Sequence, residues 1–245
     1  MIKFSMFSTK IVMATAVALA FTSCKYDVDF GGIDGNGNVT TETRTVNGDF
    51  TNIEASNGLN VVLEQSDTKS ITVETDQNLQ EHIITKVENG VLIIETDENI
   101  DESESKKVTV KLPKITGVKA SSGSSITSAN VLKNDAIKIK SSSGSEIEVA
   151  LEVDNITSES SSGSSIVLNG KALSLETASS SGSEIDASKL LANEVTAQAS
   201  SGSSISVHPI VSLKAKASSG SSIDYHNVPK SINKEENSGG SVSQE

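Results

Sequence analysis

A motif of six residues, repeated six times at intervals of about twenty residues, dominates the chain. Each copy runs Ser-Ser-Gly-Ser, then Ser or Glu, then Ile, and the spacings between successive glycines are 21, 19, 19, 20 and 18 residues. The repeated positions are Gly123, Gly144, Gly163, Gly182, Gly202 and Gly220, each followed three residues later by Ile126, Ile147, Ile166, Ile185, Ile205 or Ile223. A fixed period of this length predicts a solenoid, in which each unit packs on the next.

The intervals between the motifs have the pattern of β-strands. Apolar residues occupy every second position at Ile137 and Ile139 and again at Leu213, Ala215 and Ala217, which indicates strand alternation. Twenty residues at ~3.3 Å each give a contour of about 65 Å, enough for one coil with corners. The sequence therefore predicts an all-β fold, a parallel β-helix with ~20-residue coils stacked ~4.8 Å apart. Weaker copies at Gly58 and Gly239 extend the repeat at both ends.

The serines of the motif are expected to stack with the isoleucines. We expect Ser124 and its equivalents to face inward with Ser122 and its equivalents one register further in, and each hydroxyl to donate to the next coil. The glycine is expected to supply a backbone angle or a close approach, so Gly182→Val should disrupt the stack more than the same change at Gly170. A disordered Ser/Gly linker is the alternative, but it gives no reason for an Ile at a constant offset.

The region 41–120 is less regular than the repeats. Its apolar runs predict strands, and Asn57-Gly58 and Asn89-Gly90 mark turns. We expect less regular N-terminal coils over 41–120, regular coils over 121–235 and a polar tail over 236–245. The predicted strands include Val61–Leu63, Ile71–Val73, Ile83–Val87, Val91–Ile94 and Val108–Leu112.

The N-terminus has the layout of a lipoprotein signal. Lys3 and Lys10 precede an apolar run that ends in Thr22-Ser23-Cys24, which predicts a signal peptide over 1–23. Cys24 is the only cysteine and has no disulfide partner, which favours its lipidation. Two or more acyl chains give stable anchoring. Ordinary secretion with an incidental thiol is the alternative, and residues 24–40 are expected to form the lipidated cysteine and a flexible tether.

The charge of the chain restricts its partners. Without Lys3 and Lys10 the chain has 18 basic against 32 acidic residues, a net charge of about −14. Such a charge argues against nucleic acid and against adsorption to anionic headgroups, so membrane association should rest on the acyl chains. The aromatic content of 3% weakens a sugar site built on stacked rings. No oligomeric state is predicted.

The sequence contains no recognisable catalytic set. The histidines, His82, His208 and His226, lack a companion motif, although the last two occupy equivalent places in consecutive coils. Four carboxylates share one predicted outward column, Glu146, Glu148, Glu184 and Asp186. The two pairs would be about 9.6 Å apart, too far for one Ca²⁺. We therefore predict a non-enzyme without cofactor, metal site or catalytic residues.

A long segment resembles a known family. The run NGDFTNIEASNGLNVVLEQSDTKSITVETDQNL is followed by VENGVLIIET, by KKVTVKLPKITGVKASSGSSI and by the repeats. This pattern resembles the head GIN domain family of auto-transporter adhesins, and we assign the domain to 41–235. Gly58-Leu59-Asn60 stands in place of the family's Gly-Ile-Asn.

The resemblance implies a right-handed parallel β-helix on the envelope of a Gram-negative bacterium, with adhesion as its function and no catalytic residues to carry over. We expect an adhesin or binding scaffold, lipid-anchored to the outer membrane on its cell-surface or periplasmic face, with a surface protein or a glycan as partner. Two alternatives remain open: a periplasmic structural or envelope-stress module that binds another protein, and a polysaccharide-cleaving β-helix enzyme.

Overall fold

The computed structural model describes residues 31–245, so the predicted signal peptide and Cys24 lie outside the described residues. In the described part the chain forms seventeen strands, which belong to one sheet, and a single 3₁₀ turn, Gln77–His82. No helix in this part is both long and apolar enough to cross a membrane.

The strands divide into short ones near the N-terminus and long ones in the repeats. The first nine are β1 (Val39–Arg44), β2 (Asn52–Ala55), β3 (Asn60–Gln65), β4 (Ser70–Asp76), β5 (Ile83–Glu88), β6 (Val91–Thr96), β7 (Lys106–Leu112), β8 (Gly117–Ala120) and β9 (Ser125–Ser128). The remaining eight are β10 (Leu132–Ser141), β11 (Glu146–Ser160), β12 (Ser165–Ser179), β13 (Glu184–Ala199), β14 (Ser204–Ser218), β15 (Ser222–Tyr225), β16 (Ser231–Asn237) and β17 (Ser241–Gln244).

The repeated isoleucines form one continuous inner column. Parallel pairing places Ile126 beside Ile147, Ile147 beside Ile166, and so on through Ile185, Ile205 and Ile223. All six are fully buried. Val61 of the first weak copy and Val242 of the last pair with the two ends of this column. The predicted parallel β-solenoid is thus confirmed, with about seven turns.

β11 turns a bend without losing its register with β12, whereas the pairing of β13 with β14 shifts register at the equivalent place. In β11 buried and exposed residues alternate as far as Val153, then Asp154 and Asn155 are both exposed, and the alternation resumes at Ile156. The pairing of β11 with β12 continues on both sides of this bend. One strand therefore supplies two sides of the coil, and its inward aliphatic residues join those of neighbouring coils in one core.

The Ser-Gly pair of each motif makes the tight corner. Ser143 and Gly144 have φ of +55° and +69°, and the N–H of Ser145 donates to the carbonyl of Ser142 at 3.3 Å. Two successive residues with positive φ, enclosed by a hydrogen bond from the fourth residue to the first, form a type I′ turn. The glycine occupies the second of these positions because it adopts a positive φ without strain. Ser143 is therefore exposed at the corner, and the prediction that it and its equivalents lie further in is wrong.

The buried serines of the corners bond mainly to backbone groups of their own turn, although Ser124 and Ser203 also donate to carbonyls of the neighbouring coil, those of Ala55 and Ser179. Ser145 Oγ accepts the N–H of Ser142 at 3.0 Å, donates to its carbonyl at 2.8 Å and lies 2.9 Å from Ser141 Oγ. The predicted coil-to-coil ladder of these hydroxyls is wrong, because the turn presents its own backbone groups nearer than the next coil. Coils are instead joined at the corner by backbone bonds such as Gly144 N–H to the Ser162 carbonyl, 3.1 Å.

Gly170 is more constrained than the glycines of the motif. A Cβ at Gly170 would lie 2.0 Å from the carbonyl oxygen of Leu151, and its φ is +116°. At Gly182 the φ is +67° and a Cβ would have no neighbour within 4 Å. The expected order of sensitivity is therefore reversed, since only Gly170 combines a close approach with a positive φ.

In the N-terminal region the order of strands along the chain differs from their order in space. β2 pairs in parallel with both β6 and β8, and β3 pairs in parallel with both β7 and β9. These strands form two further coils below the one that contains β8 and β9. β5 pairs antiparallel with β6, and β4 lies antiparallel between β7 and β1. Antiparallel strands thus cover this end of the stack.

The described end of the predicted tether is attached to the body. Residues 33–38 lie between residues 76–78 and residues 99–104, and we call these three segments the N-terminal clamp. Asp76 is fully buried and accepts the N–H groups of Gly37 and Glu104 at 2.6 and 2.9 Å. Ile33 forms a parallel bridge with Ile100. The prediction of a flexible tether up to residue 40 is therefore wrong from Ile33 onward, because backbone and carboxylate hydrogen bonds hold this segment.

The predicted polar tail is also part of the fold. β16 ends only at Asn237 and pairs with β14, and β17 pairs with β15. The register places Lys234 and Glu236 over the inward residues Ala215 and Ala217. Polar composition suggested a tail, but these residues form the last coil.

Candidate binding surface

The side of the coil that follows each corner is acidic. Its two outward columns contain Glu146 and Glu184 separated by Ser165, and Glu148 and Asp186 separated by Val167. The sequence predicted one outward column for all four carboxylates, and the register divides them between two columns of the same strand face. None of these four carboxylates forms an ion pair with a Lys or Arg of the described residues. We call this surface the acidic flank, and its unpaired charge keeps it hydrated.

The side of the coil that precedes each corner has mixed charge, and we call it the mixed flank. One outward column runs along it through the coils in the order Lys119, Lys140, Glu159, Ala178, Gln198, Lys216 and Glu235. Lys140 contacts Glu159 at 2.5 Å, and Lys216 contacts Glu235 at 2.9 Å. Lys119 contacts Glu54 at 2.6 Å, so each of the three lysines of this column is paired with a glutamate of a neighbouring coil.

A depression of about 320 Å³ interrupts the mixed flank at Ala178. Glu159 lies on one side of Ala178, and Gln198 and Lys216 lie on the other. The third wall consists of serines next to the corners, Ser161, Ser180 and Ser200. The short side chain of Ala178 opens the depression, because its neighbours in the column are long. Sequence analysis missed this site, since the gap is visible only once the register is known.

Exposed apolar residues lie between the two flanks. Leu173, Leu191, Val211 and Val228 are 37–60% exposed and belong to consecutive units of the chain. Single exposed apolar residues are ordinary on protein surfaces. Their successive placement makes this the most apolar part of a surface that is otherwise polar.

The three histidines have separate partners. His82 Nδ1 lies 3.0 Å from Asp97, His208 Nδ1 lies 3.1 Å from the Ser188 carbonyl, and His226 Nε2 lies 3.4 Å from Glu245. His208 and His226 follow the paired residues Val207 and Tyr225, so they occupy adjacent coils. Within residues 31–245 no group of three or more His, Cys, Asp or Glu side chains has the geometry of a metal site.

The resolved pKa shifts all increase ionisation. The pKa of Glu152 is lowered by hydrogen bonds from Lys171 and then Lys133, and Lys216 lowers the pKa of Glu235 in the same way. The hydrogen bonds that Lys86 donates to Glu95 and then Glu88 raise the pKa of Lys86. A general acid or base needs a pKa near the working pH, and these groups move away from it. They behave as surface ion pairs.

The stacked coils and hydrated flanks define a parallel β-solenoid with open surfaces. The chain belongs to the head GIN domain family: the family model described as "Putative auto-transporter adhesin, head GIN domain" matches residues 49–229. The resemblance found in the sequence is thereby confirmed. No curated protein matches the chain.

Solved structures from Bacteroides and Parabacteroides species share the fold. A putative adhesin from Bacteroides fragilis has a TM-score of 0.82 at 20% identity, covering 87% of this chain and 100% of its own. A putative adhesin from Parabacteroides merdae has a TM-score of 0.70 at 22% identity, covering 87% and 98%. A putative lipid binding protein from Parabacteroides distasonis has a TM-score of 0.70 at 20% identity, covering 87% and 99%. At these identities the likeness shows the fold.

Proposed function

We propose that the protein is a non-catalytic, lipid-anchored envelope protein that uses the flanks of its solenoid as an adhesive surface. One observation carries the proposal: on both flanks the outward residues of each coil stand in register with those of the next, from β9 to β17. Register turns a repeated sequence into two long polar flanks whose side chains are spaced ~4.8 Å apart along the axis. Such a surface suits contact with an extended partner at many points.

The family and its structural neighbours support this assignment. The family model and two of the three neighbours carry the name adhesin. Adhesion requires a location on the cell envelope. Lipidation of Cys24 supplies the attachment, because the residues before it have the order of a lipoprotein signal.

The chemistry of the described surface supports the proposal that the protein is non-catalytic. The carboxylates with resolved shifts have lowered pKa values, whereas a glycosidase needs an acid whose pKa is raised. Purified protein incubated with a polysaccharide panel should release no oligosaccharide. Release that disappears on substitution of Glu146 or Glu184 by Gln would overturn this part of the proposal.

Protease accessibility on intact cells tests the location. An epitope tag after Glu245 should be removed by external protease from cells with an unbroken outer membrane, while a periplasmic marker protein survives. A Cys24→Ala variant should be lost from the membrane fraction while its fold is retained. Protection of the tag in intact cells would instead favour the periplasmic module that binds another protein.

A further inference from the structure

The gap in the mixed flank is confined to one coil. In the column from Lys119 to Glu235, Ala178 is the single residue shorter than Gln, and its neighbours Glu159 and Gln198 are one coil away on either side. Two coil steps separate these neighbours by about 9.6 Å. The depression of about 320 Å³ is at the lower end of the size range of small-molecule sites, about 300–1,000 Å³. It admits a small cyclic group rather than a long chain.

The wall beside the corner offers free hydroxyl groups. Ser161, Ser180 and Ser200 line the depression, one from each of three successive coils. Their backbone groups join the turns, but in the described part of the chain their Oγ atoms have no hydrogen-bond partner. The Gln198 side-chain amide also lacks one there. The wall therefore presents both donors and acceptors at steps of ~4.8 Å.

The charged groups of the depression are already neutralised. Lys140 pairs with Glu159, and Glu235 pairs with Lys216, each from the coil beyond the depression. An ionic ligand would have to compete with these pairs, whereas a neutral ligand can accept hydrogen bonds from the ammonium and donate to the carboxylate without breaking them. The floor is the methyl group of Ala178, beside buried Ala199.

From this lining we propose that the Ala178 depression binds one sugar unit of a neutral glycan. A pyranose ring carries several hydroxyls that each donate and accept, which matches the free groups on the wall. An extended peptide would instead seek the edge of a sheet, where backbone groups are unpaired, and here the sheet presents its face. The proposal rests on the adhesive function above and specifies its ligand class. Because the depression has no aromatic floor, each sugar unit binds weakly. Adhesion therefore depends on many protein molecules that bind the same glycan or surface together.

Saturation-transfer NMR on the full chain tests the site. The probes are methyl glycosides of mannose, galactose, fucose and N-acetylglucosamine. Ala178→Gln restores a long side chain to the column and fills the depression, so the signal of the bound glycoside should fall at least fivefold. Val167→Gln makes a comparable change on the acidic flank of the same coil, and it should leave the signal unchanged.

A second variant keeps the test decisive if Ala178→Gln fails to fold. Gln198→Ala removes one wall without filling the space and should weaken binding about threefold. The proposal is overturned if none of the four glycosides binds the wild type, if Ala178→Gln binds as well as the wild type, or if Val167→Gln loses the signal equally. Surface exposure of the protein, measured by the protease experiment, would be unaffected by that failure, so the adhesive function is judged separately.

Discussion

The regular coils and the N-terminal region belong to the same stack, but the residues that pair across coils have very different sequence separations in the two regions. In the regular coils a contact across coils joins residues about one repeat apart, as in Lys140 to Glu159, 19 residues. In the N-terminal region the equivalent contact, Lys119 to Glu54, joins residues 65 apart. A repeat fixes its own register, whereas the N-terminal region needs strands from distant segments to meet. The two regions should therefore fail in different ways when altered.

The largest expected effect, within the regular coils, is at a glycine that is not part of the repeated motif. Gly170→Ala should destabilise the protein by about 3–5 kcal/mol, because the new Cβ collides with the Leu151 carbonyl and φ is positive. Gly182→Ala, at a repeated glycine with open space, should cost only about 1–2 kcal/mol. Urea unfolding measures both. Equal losses would mean that the corner, rather than the close approach, limits stability.

The stability of the N-terminal region should depend on the carboxylate of Asp76. Asp76→Ala removes the buried carboxylate that accepts the part-buried N–H groups of Gly37 and Glu104 and should cost about 2–4 kcal/mol, because hydrogen bonds to a charged group are stronger than neutral ones. Hydrogen exchange should rise in residues 33–44 and 97–106 but stay low in β12 and β13. Glu98→Ala, at an exposed position of the same loop, is the control. A uniform rise over all coils would show that the two regions do not fail separately.

The C-terminal end should be closed by charge rather than by extra strands. Lys234 Nζ lies 4.6 Å from the centre of the Tyr225 ring and donates to the Val242 carbonyl at 3.1 Å. Glu236 accepts the Val242 N–H at 2.6 Å. Stacking a second molecule here would bury both charges, a device that protects sheet ends.

The double substitution Lys234→Val with Glu236→Val should therefore allow end-to-end dimers, detectable by light scattering after size exclusion. The control, Asn233→Val with Glu235→Val, adds the same apolar surface at outward positions of β16. Dimers of both variants, or of neither, would contradict this function of the inward charges.

The smallest effect concerns the surface pairs of the regular coils. Lys171 and Lys133 lower the pKa of Glu152 below its ordinary 4.5, so its ion pairs stabilise the fold above that pH. This contribution is lost as pH falls through the lowered pKa. Glu152→Gln should reduce the Tm slightly at pH 7, because exposed pairs contribute little, and this reduction should shrink as the pH is lowered below 4.5. Asp154→Asn should show no such pH dependence, and the reverse trend would show that Glu152 is destabilising.

The sequence predicted the features that follow from the repeat period. It did not predict those that depend on local backbone angles or on contacts between residues far apart in the chain. The offset between each glycine and its isoleucine was sufficient to place Ile147 over Ile166, because every coil repeats the same bends. It was not sufficient to place Ser143, since the positive φ of a non-glycine residue leaves no pattern in composition. The insertion of β2 and β3 between β6–β7 and β8–β9 also leaves no local signal. Likewise, nothing near Asp76 in the sequence shows that two distant backbone groups point at it.

The attachment of residues 33–38 has a mechanical consequence. Any pull transmitted through the N-terminal chain first reaches the bonds that Asp76 and the Ile33–Ile100 bridge make, before it reaches a single coil. A few hydrogen bonds yield at lower force than the parallel stack, whose pairing extends over fifteen residues in β11 and β12. Under load the molecule would lengthen by releasing this segment while the coils stay wound, so the flanks proposed as the adhesive surface would keep their shape during tension.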